Sequence, residues 1–286
     1  MGFNSVFRAD LLAGEVGIIT GGGTGIGRCI AHELASLGAT VVLSSRKLEN
    51  LEATCAEIKE DGGSATAIAC NVREEDSVRS LIREVIAEHG RIDFIVNNAG
   101  GQFACLPETI TTKGWNAVLE TNLTGPFLMC REAHTAWMGA NGGRIVNIVA
   151  DFWNGMPMMM HTSAARAGVA NLTKSLAVAW AANGIRINSV APGIIRSSGL
   201  KNYPPPVIQM LKEMQREIPV RRLGTESEVS SAVAWLLSPG AAYVTGETVR
   251  VDGASSLYRQ LFPTTDHDRM APYDGFHRPP DLPDDL

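Results

Sequence analysis

The run Thr20-Gly-Gly-Gly-Thr-Gly-Ile-Gly27 stands between an apolar β-rich segment and a helical pattern that begins at Arg28. A glycine turn of this kind brings backbone amides against a pyrophosphate at a helix N-terminus, where any Cβ would block the approach. Followed by a second strand that ends about twenty residues later, the run marks a dinucleotide site, with Gly21, Gly23, Thr24, Gly25, Ile26 and Gly27 as its cradle. The second strand ends in Ser44-Ser45-Arg46-Lys47, without the carboxylate that would accept hydrogen bonds from ribose hydroxyls. A guanidinium and a hydroxyl suit a 2′-phosphate, which an acid would repel, so Ser45 and Arg46 favour NADP(H) over NAD(H).

The elements that must position this chemistry alternate along the chain. Apolar β-rich runs occur at Val16 to Thr20, Thr40 to Ser44, Ala65 to Cys70, Phe94 to Val96, Ile145 to Val149, Ile187 to Val190 and Val249 to Val251. Amphipathic stretches between them, such as Leu48 to Lys59, Asp76 to His89, Thr162 to Ala182 and Glu226 to Leu237, are long enough to be crossover helices. Strands alternating with helices predict an α/β fold, a doubly wound parallel sheet of about seven strands with helices on both faces. The strand runs are apolar throughout, which fits burial on both faces. One domain spans residues 1–257, with a proline-rich, lid-like insertion over about 199–222 that includes Pro204, Pro205 and Pro206. Residues 258–286 mix proline with acidic residues and lack apolar periodicity, a tail that is either disordered or an arm laid on a neighbouring subunit.

Composition narrows the function classes. With 286 residues, 45% hydrophobic, 19% charged and a net charge of -5, the chain is globular and carries no basic footprint for nucleic acid. No run of about eighteen apolar residues predicts a membrane span, and Met1 to Glu15 lacks the apolar core of a signal peptide, so a cytoplasmic protein is expected. Five cysteines without a CxxC pair predict neither a disulfide framework nor a metal site.

With Thr20-Gly-x-x-x-Gly-x-Gly27, Asn97-Asn98-Ala99-Gly100, Asn122 within Glu120-Thr-Asn-Leu-Thr-Gly125, and Pro192-Gly193, the chain resembles the short-chain dehydrogenase/reductase family from Val16 to about Ser256. The resemblance implies a single-domain Rossmann fold of strand order 3-2-1-4-5-6-7, a homodimer or homotetramer, and a cofactor across the carboxyl ends of the strands. It places Asn98, Ala99 and Gly100 beside the adenine ribose, Asn71 and Val72 at the adenine, and Pro192, Gly193, Ile195 and Ser197 around the nicotinamide amide. It also implies that Asn122, in the middle of the fourth helix, holds a water and a lysine through its side chain and backbone, the alternative being a helix-surface amide.

Most members of that family carry a Tyr and a Lys four residues apart on the fifth helix, on one face of it. In His161-Thr-Ser-Ala-Ala-Arg-Ala-Gly-Val169 these positions fall on Thr162 and Arg166, and all four tyrosines lie beyond residue 200. Ala150 stands where the family's Ser is expected. Carbonyl reduction needs an acid at the carbonyl oxygen with a pKa tunable toward neutrality, which a threonine hydroxyl does not supply. Reducing a C=C bond conjugated to a thioester instead needs donors and positive field at a developing enolate, with water able to protonate Cα. The strings Asn97-Asn-Ala-Gly-Gly-Gln-Phe103, Lys113 to Gly125 and Ala164-Ala-Arg-Ala-Gly-Val169 are similar to the peroxisomal trans-2-enoyl-CoA reductases, relatives of the 2,4-dienoyl-CoA reductases. The implied activity is NADPH-dependent reduction of an enoyl thioester of coenzyme A. Two departures stand out: the chain ends Pro283-Asp-Asp-Leu286 without a peroxisomal tripeptide, and Ala170 replaces a tyrosine proposed as that branch's proton donor.

Further candidates are open to two readings each. His161 is either a donor of a proton or hydrogen bond or a structural loop residue. Asp151 either orders a water or binds a substrate amide, or is a solvated carboxylate, and Met156 to Met160 either face an acyl chain or fill core. Arg196, Lys201, Arg221 and Arg222 flank the lid and either attract coenzyme A phosphates or are merely solvated. A carbonyl or hydroxyl oxidoreductase using Tyr203 or His161, and a silent NADP-binding protein, are the alternative functions.

Overall fold

β1 (Val16–Thr20), an unbroken apolar strand, lies between β2 (Thr40–Ser45) and β4 (Phe94–Asn97), and the three pair in parallel with Thr20 level with both Ser44 and Asn97. The computed structural model describes residues 2–203, 205–258, 264–280 and 282–283, so Pro204 of the proline cluster and the chain end beyond Pro283 lie outside the described residues. β3 (Ser64–Ala69), β5 (Gly143–Ile148), β6 (Ile185–Pro192) and β9 (Thr248–Val251) complete a seven-stranded parallel sheet of order β3-β2-β1-β4-β5-β6-β9. This is the Rossmann-like α/β fold and strand order expected, β9 being the seventh strand of the sheet. A separate two-stranded ladder, β7 (Ile195–Arg196) with β8 (Gly224–Thr225), brackets the stretch expected as a lid-like insertion.

Alternate residues of the central strands feed two cores. Ile19, Leu43 and Val96 pack with α1 (Gly25–Ser36), α2 (Leu48–Glu60) and α9 (Glu226–Leu237), while Ile18, Val42 and Ile95 pack with α3 (Glu75–His89) on the other face. Each fully buried Ile or Leu contributes about 1.5–3 kcal/mol. Gly17 has no side chain because the Phe94 ring lies where its Cβ would be. A long helical rod, Thr112 to Asn141, crosses from β4 to β5 in five pieces. They are α4 (Thr112–Leu119), a π turn (Glu120–Thr124), α5 (Gly125–Ala133), a second π turn (His134–Met138) and α6 (Gly139–Asn141). α7 (Met160–Ala179) follows β5, and the lid carries α8 (Pro205–Met214).

Residues 264–280, inside the segment expected to be disordered or an intersubunit arm, lie along their own chain. Asn4 N donates to Gly275 O at 2.8 Å, and the Phe276 ring stacks on Phe3 and beneath the Arg28 guanidinium. Arg278 and His277 pair with Asp61 at the end of α2, both at 2.9 Å. Among the described residues no helix is long and apolar enough to cross a membrane, and no group of three His, Cys, Asp or Glu side chains is placed to hold a metal ion.

Candidate active site

Parallel strands deliver their last residues to one edge of the sheet, and the order reverses between β1 and β4, the switch point at which folds of this kind take their ligands. There Thr24 is the extended N-cap of α1 and makes no side-chain cap bond, which leaves the first amides of the helix unclaimed by a cap. Gly21 and Gly25 adopt φ of +68° and +55°, a backbone that glycine alone takes without strain. A Cβ on Gly27 would overlap the Gly21 carbonyl, and one on Gly23 would stand 3.0 Å from the Asn50 backbone. Asn98 stitches the turn to β4: its Nδ2 donates to Thr20 O and Gly21 O at 3.1 and 3.2 Å, and the backbone amides of Asn98 and Ala99 both donate to Thr20 Oγ1 at 3.0 Å.

At the end of β2, Ser45 Oγ donates to Lys47 O at 3.1 Å, whereas Arg46 is exposed and its guanidinium has no partner among the described residues. Asn71 belongs to the turn before α3, with Nδ2 on Glu74 at 2.6 Å, and Val72 is buried against Gly125. Pro192 ends β6, a Cβ on Gly193 would meet Asp252 Cα at 2.8 Å, Ile195 is buried, and Ser197 faces Gly25. Uncapped amides, a glycine-shaped turn and a free guanidinium one strand away fit a dinucleotide with a phosphorylated ribose.

Asn122 sits in the π turn, whose wider winding turns its side chain into the site. It is buried, accepts from Gly101 N at 2.9 Å, and donates to Gly101 O and to Thr162 Oγ1, each at 2.9 Å. Thr162 lies in the first turns of α7, fully buried, one helical turn before Arg166. Arg166 is buried as well; its Nη1 donates to Ile148 O at 2.7 Å, and its Nη2 occupies the space that a Cβ on Gly100 would need. It has no carboxylate partner among the described residues, and burial pushes its guanidinium down to about 10. Beneath them a polar chain locks α7 to the sheet: Asn97 Nδ2 on Asn147 Oδ1 at 2.8 Å, Asn147 Nδ2 on Thr173 Oγ1 at 2.9 Å, and Thr173 with Ser189 at 2.8 Å.

The loop after β4 touches four site residues in succession. Gly100 meets Arg166, Gly101 meets Asn122, Gln102 Nε2 donates to Tyr203 OH of the lid at 2.7 Å, and the Phe103 ring lies 4.6 Å from that of His161. Burial lowers the His161 pKa, and just beyond the end of β5 stand Ala150 and Asp151, whose carboxyl is raised by burial and by Asp252. Pro157 to Met159 form a 3-10 turn leading into α7, with Cys105 N donating to Met158 O at 2.9 Å. Of the lid cations, Arg222 is spent on Glu228 and on the tail carbonyl Met270 O at 2.8 Å, and Arg221 on Thr264. A cavity of about 380 Å³ between α8 and the tail is lined by Arg196, Lys212 and Arg222.

Sequence reasoning missed Glu226. It opens α9 buried, lies 3.8 Å from where a Gly25 Cβ would be, leaves Oε1 without a partner among the described residues, and is pushed up to about 7, chiefly by burial. The Thr225-x-x-Glu228 capping box marks the helix start but says nothing of where its first side chain goes.

Residues 21–255 match the family described as "Enoyl-(Acyl carrier protein) reductase". A probable 2,4-dienoyl-CoA reductase of Bacillus subtilis is 37% identical over 246 residues, 84% of this chain and 96% of its own length. A citronellol catabolism dehydrogenase of Pseudomonas aeruginosa superposes with a TM-score of 0.81 at 48% identity, covering 89% of this chain and 100% of its own. Actinorhodin polyketide ketoreductase, solved with NADPH, does so at 0.81 and 32% identity, covering 85% and 98%. The seven-stranded order, the glycine turn at its switch point and these likenesses agree: the chain belongs to the short-chain dehydrogenase/reductase family of oxidoreductases.

Proposed function

We propose that the protein uses NADPH to reduce the C=C bond of a 2-enoyl thioester of coenzyme A. The observation that carries this reading is the pairing at α7: a buried guanidinium without a counter-anion at Arg166, one turn after a threonine where carbonyl reducers of the family place a phenol. A buried unpaired cation is costly, and its energy is recovered when an anion arrives. The groups available are the cofactor's ribose hydroxyls, which are neutral acceptors, and the negative charge of an enolate developing on substrate. The reduced nicotinamide supplies hydride. The protein's own residues do the rest: the Gly21–Gly27 turn and Arg46 hold the phosphates, Asn122 fixes the Gly101 backbone and Thr162, and Arg166 supplies positive field where negative charge grows. Water then delivers the Cα proton.

The likeness to a dienoyl-CoA reductase supports an acyl-CoA substrate, and Lys212 and Arg196 at the lid cavity suit its phosphates. Carbonyl reduction is the second reading, favoured by Tyr203, a phenol held against the site loop by Gln102. The two are separated by kcat/KM, with NADPH, for a 2-enoyl-CoA and its matched 3-ketoacyl-CoA. Preference for the keto substrate overturns the first reading.

A further inference from the structure

His161 is fully buried, and neither of its ring nitrogens has a hydrogen-bond partner among the described residues. An imidazole carries one donor and one acceptor in its neutral form, and no side chain or backbone group among the described residues takes up either. His161 precedes Thr162 in the first turn of α7, and its ring is covered by that of Phe103. The cover is a thin one, since Phe103 is itself 41% exposed and sits on the loop that Gln102 fastens to the lid. Movement of the Phe103 ring uncovers the imidazole.

Building on the enoyl-thioester reading, we propose that His161 is a catalytic residue whose ring N–H donates a hydrogen bond to the thioester carbonyl oxygen. Hydride from the reduced nicotinamide adds to C3, the C2=C3 electron pair moves toward C1, and the carbonyl oxygen becomes an enolate held by the imidazole N–H. A solvent proton then bonds to C2 and the C1=O bond is restored. His161 keeps its own proton throughout, which suits a ring that burial holds neutral near pH 7. It would stand in for the phenol as a donor without having to act as an acid.

Two substitutions test this. His161→Phe keeps a flat ring against Phe103 and removes both nitrogens; His161→Gln keeps an N–H donor. With a 2-enoyl-CoA and NADPH, the Phe variant is expected to lose about 10- to 100-fold in kcat, while NADPH affinity stays within error, the melting temperature holds or rises, and the Gln variant recovers part of the loss. Unchanged kcat/KM in His161→Phe overturns the inference, as does a fall in both variants that tracks lost folding or lost NADPH binding. The unmodified protein keeps the two readings apart. If it reduces enoyl-CoA and the Phe variant does so equally, only the His161 assignment fails. If it reduces only 3-ketoacyl-CoA, the enoyl reading fails and the same Phe variant judges His161 on that carbonyl. No turnover of either overturns both.

Discussion

Asn122 gives one amide hydrogen to Thr162 Oγ1 and the other to Gly101 O, both at 2.9 Å, so a single side chain ties the π turn to α7 and to the loop after β4. The threonine hydroxyl therefore accepts from Asn122 and keeps its own hydrogen to donate. In Thr162→Val, of equal shape, the Asn122 amide loses one buried partner. That costs about 1–3 kcal/mol of stability, visible in denaturant titration, and lowers kcat about 10-fold without abolishing it.

Arg166→Ala removes the positive charge and its anchor on Ile148 O. Turnover is expected to fall at least about 100-fold. The guanidinium titrates only at about 10, so the pH–rate profile between pH 6 and 8 keeps its shape in the residual activity. Arg166→Lys recovers little, because an ammonium cannot hold Ile148 O and face Gly100 at once. Steady-state kinetics over that range check both.

Arg46→Ala should weaken NADPH about 10- to 100-fold while leaving NADH nearly unchanged, the loss of one charge-assisted contact to the 2′-phosphate. Calorimetric titration of the two cofactors gives the ratio. Equal affinities in the unmodified protein would defeat the assignment.

Glu226 makes stability depend on pH. Its carboxyl is raised from 4.5 to about 7 by burial, with Asp274 adding to the shift and Arg28 opposing it. Between those values the folded protein binds more protons than the unfolded chain, so stability is fully present below about pH 4.5 and is lost as pH rises to about 7. Glu226→Gln should erase that slope and stabilise the protein at pH 8 by about 1–3 kcal/mol relative to its effect at pH 5. Cofactor phosphates arriving beside Gly25 would raise the carboxyl further, so NADPH affinity should fall above pH 7 in the unmodified protein and stay flat in the variant.

The sheet and the cofactor turn were legible because both write themselves locally: runs such as Val16 to Thr20 are apolar on both faces, and Gly21 to Gly27 cannot be built with side chains. Long-range placement was not. β6 runs over Ile185–Pro192 with the polar pair Asn188 and Ser189 buried at its centre, where they find partners in Val244 and Thr173 that lie far off in sequence. The tail lacks periodicity since it is held by single contacts, Arg278 on Asp61 and Phe276 on Phe3, rather than by an apolar face. Thr162 and Arg166 were reached only through resemblance to a family pattern, and nothing local in Glu226 foretells that the β7–β8 ladder will set it behind Gly25.

The π turn at Glu120–Thr124 gives the rod a phase as well as a bend. One residue more than an α turn advances everything after it by about 100° of rotation. α4 and α5 thus present faces that a continuous α-helix could not present together, one toward α7 and one toward α3. Losing any one residue between Thr112 and Ala133 would return the rod to simple winding and rotate Leu128 and Met129 out of the core or Asn122 out of the site. Over this stretch the length of the chain is itself a functional quantity: substitutions can be absorbed singly, whereas an insertion or deletion acts on both ends of the helix at once.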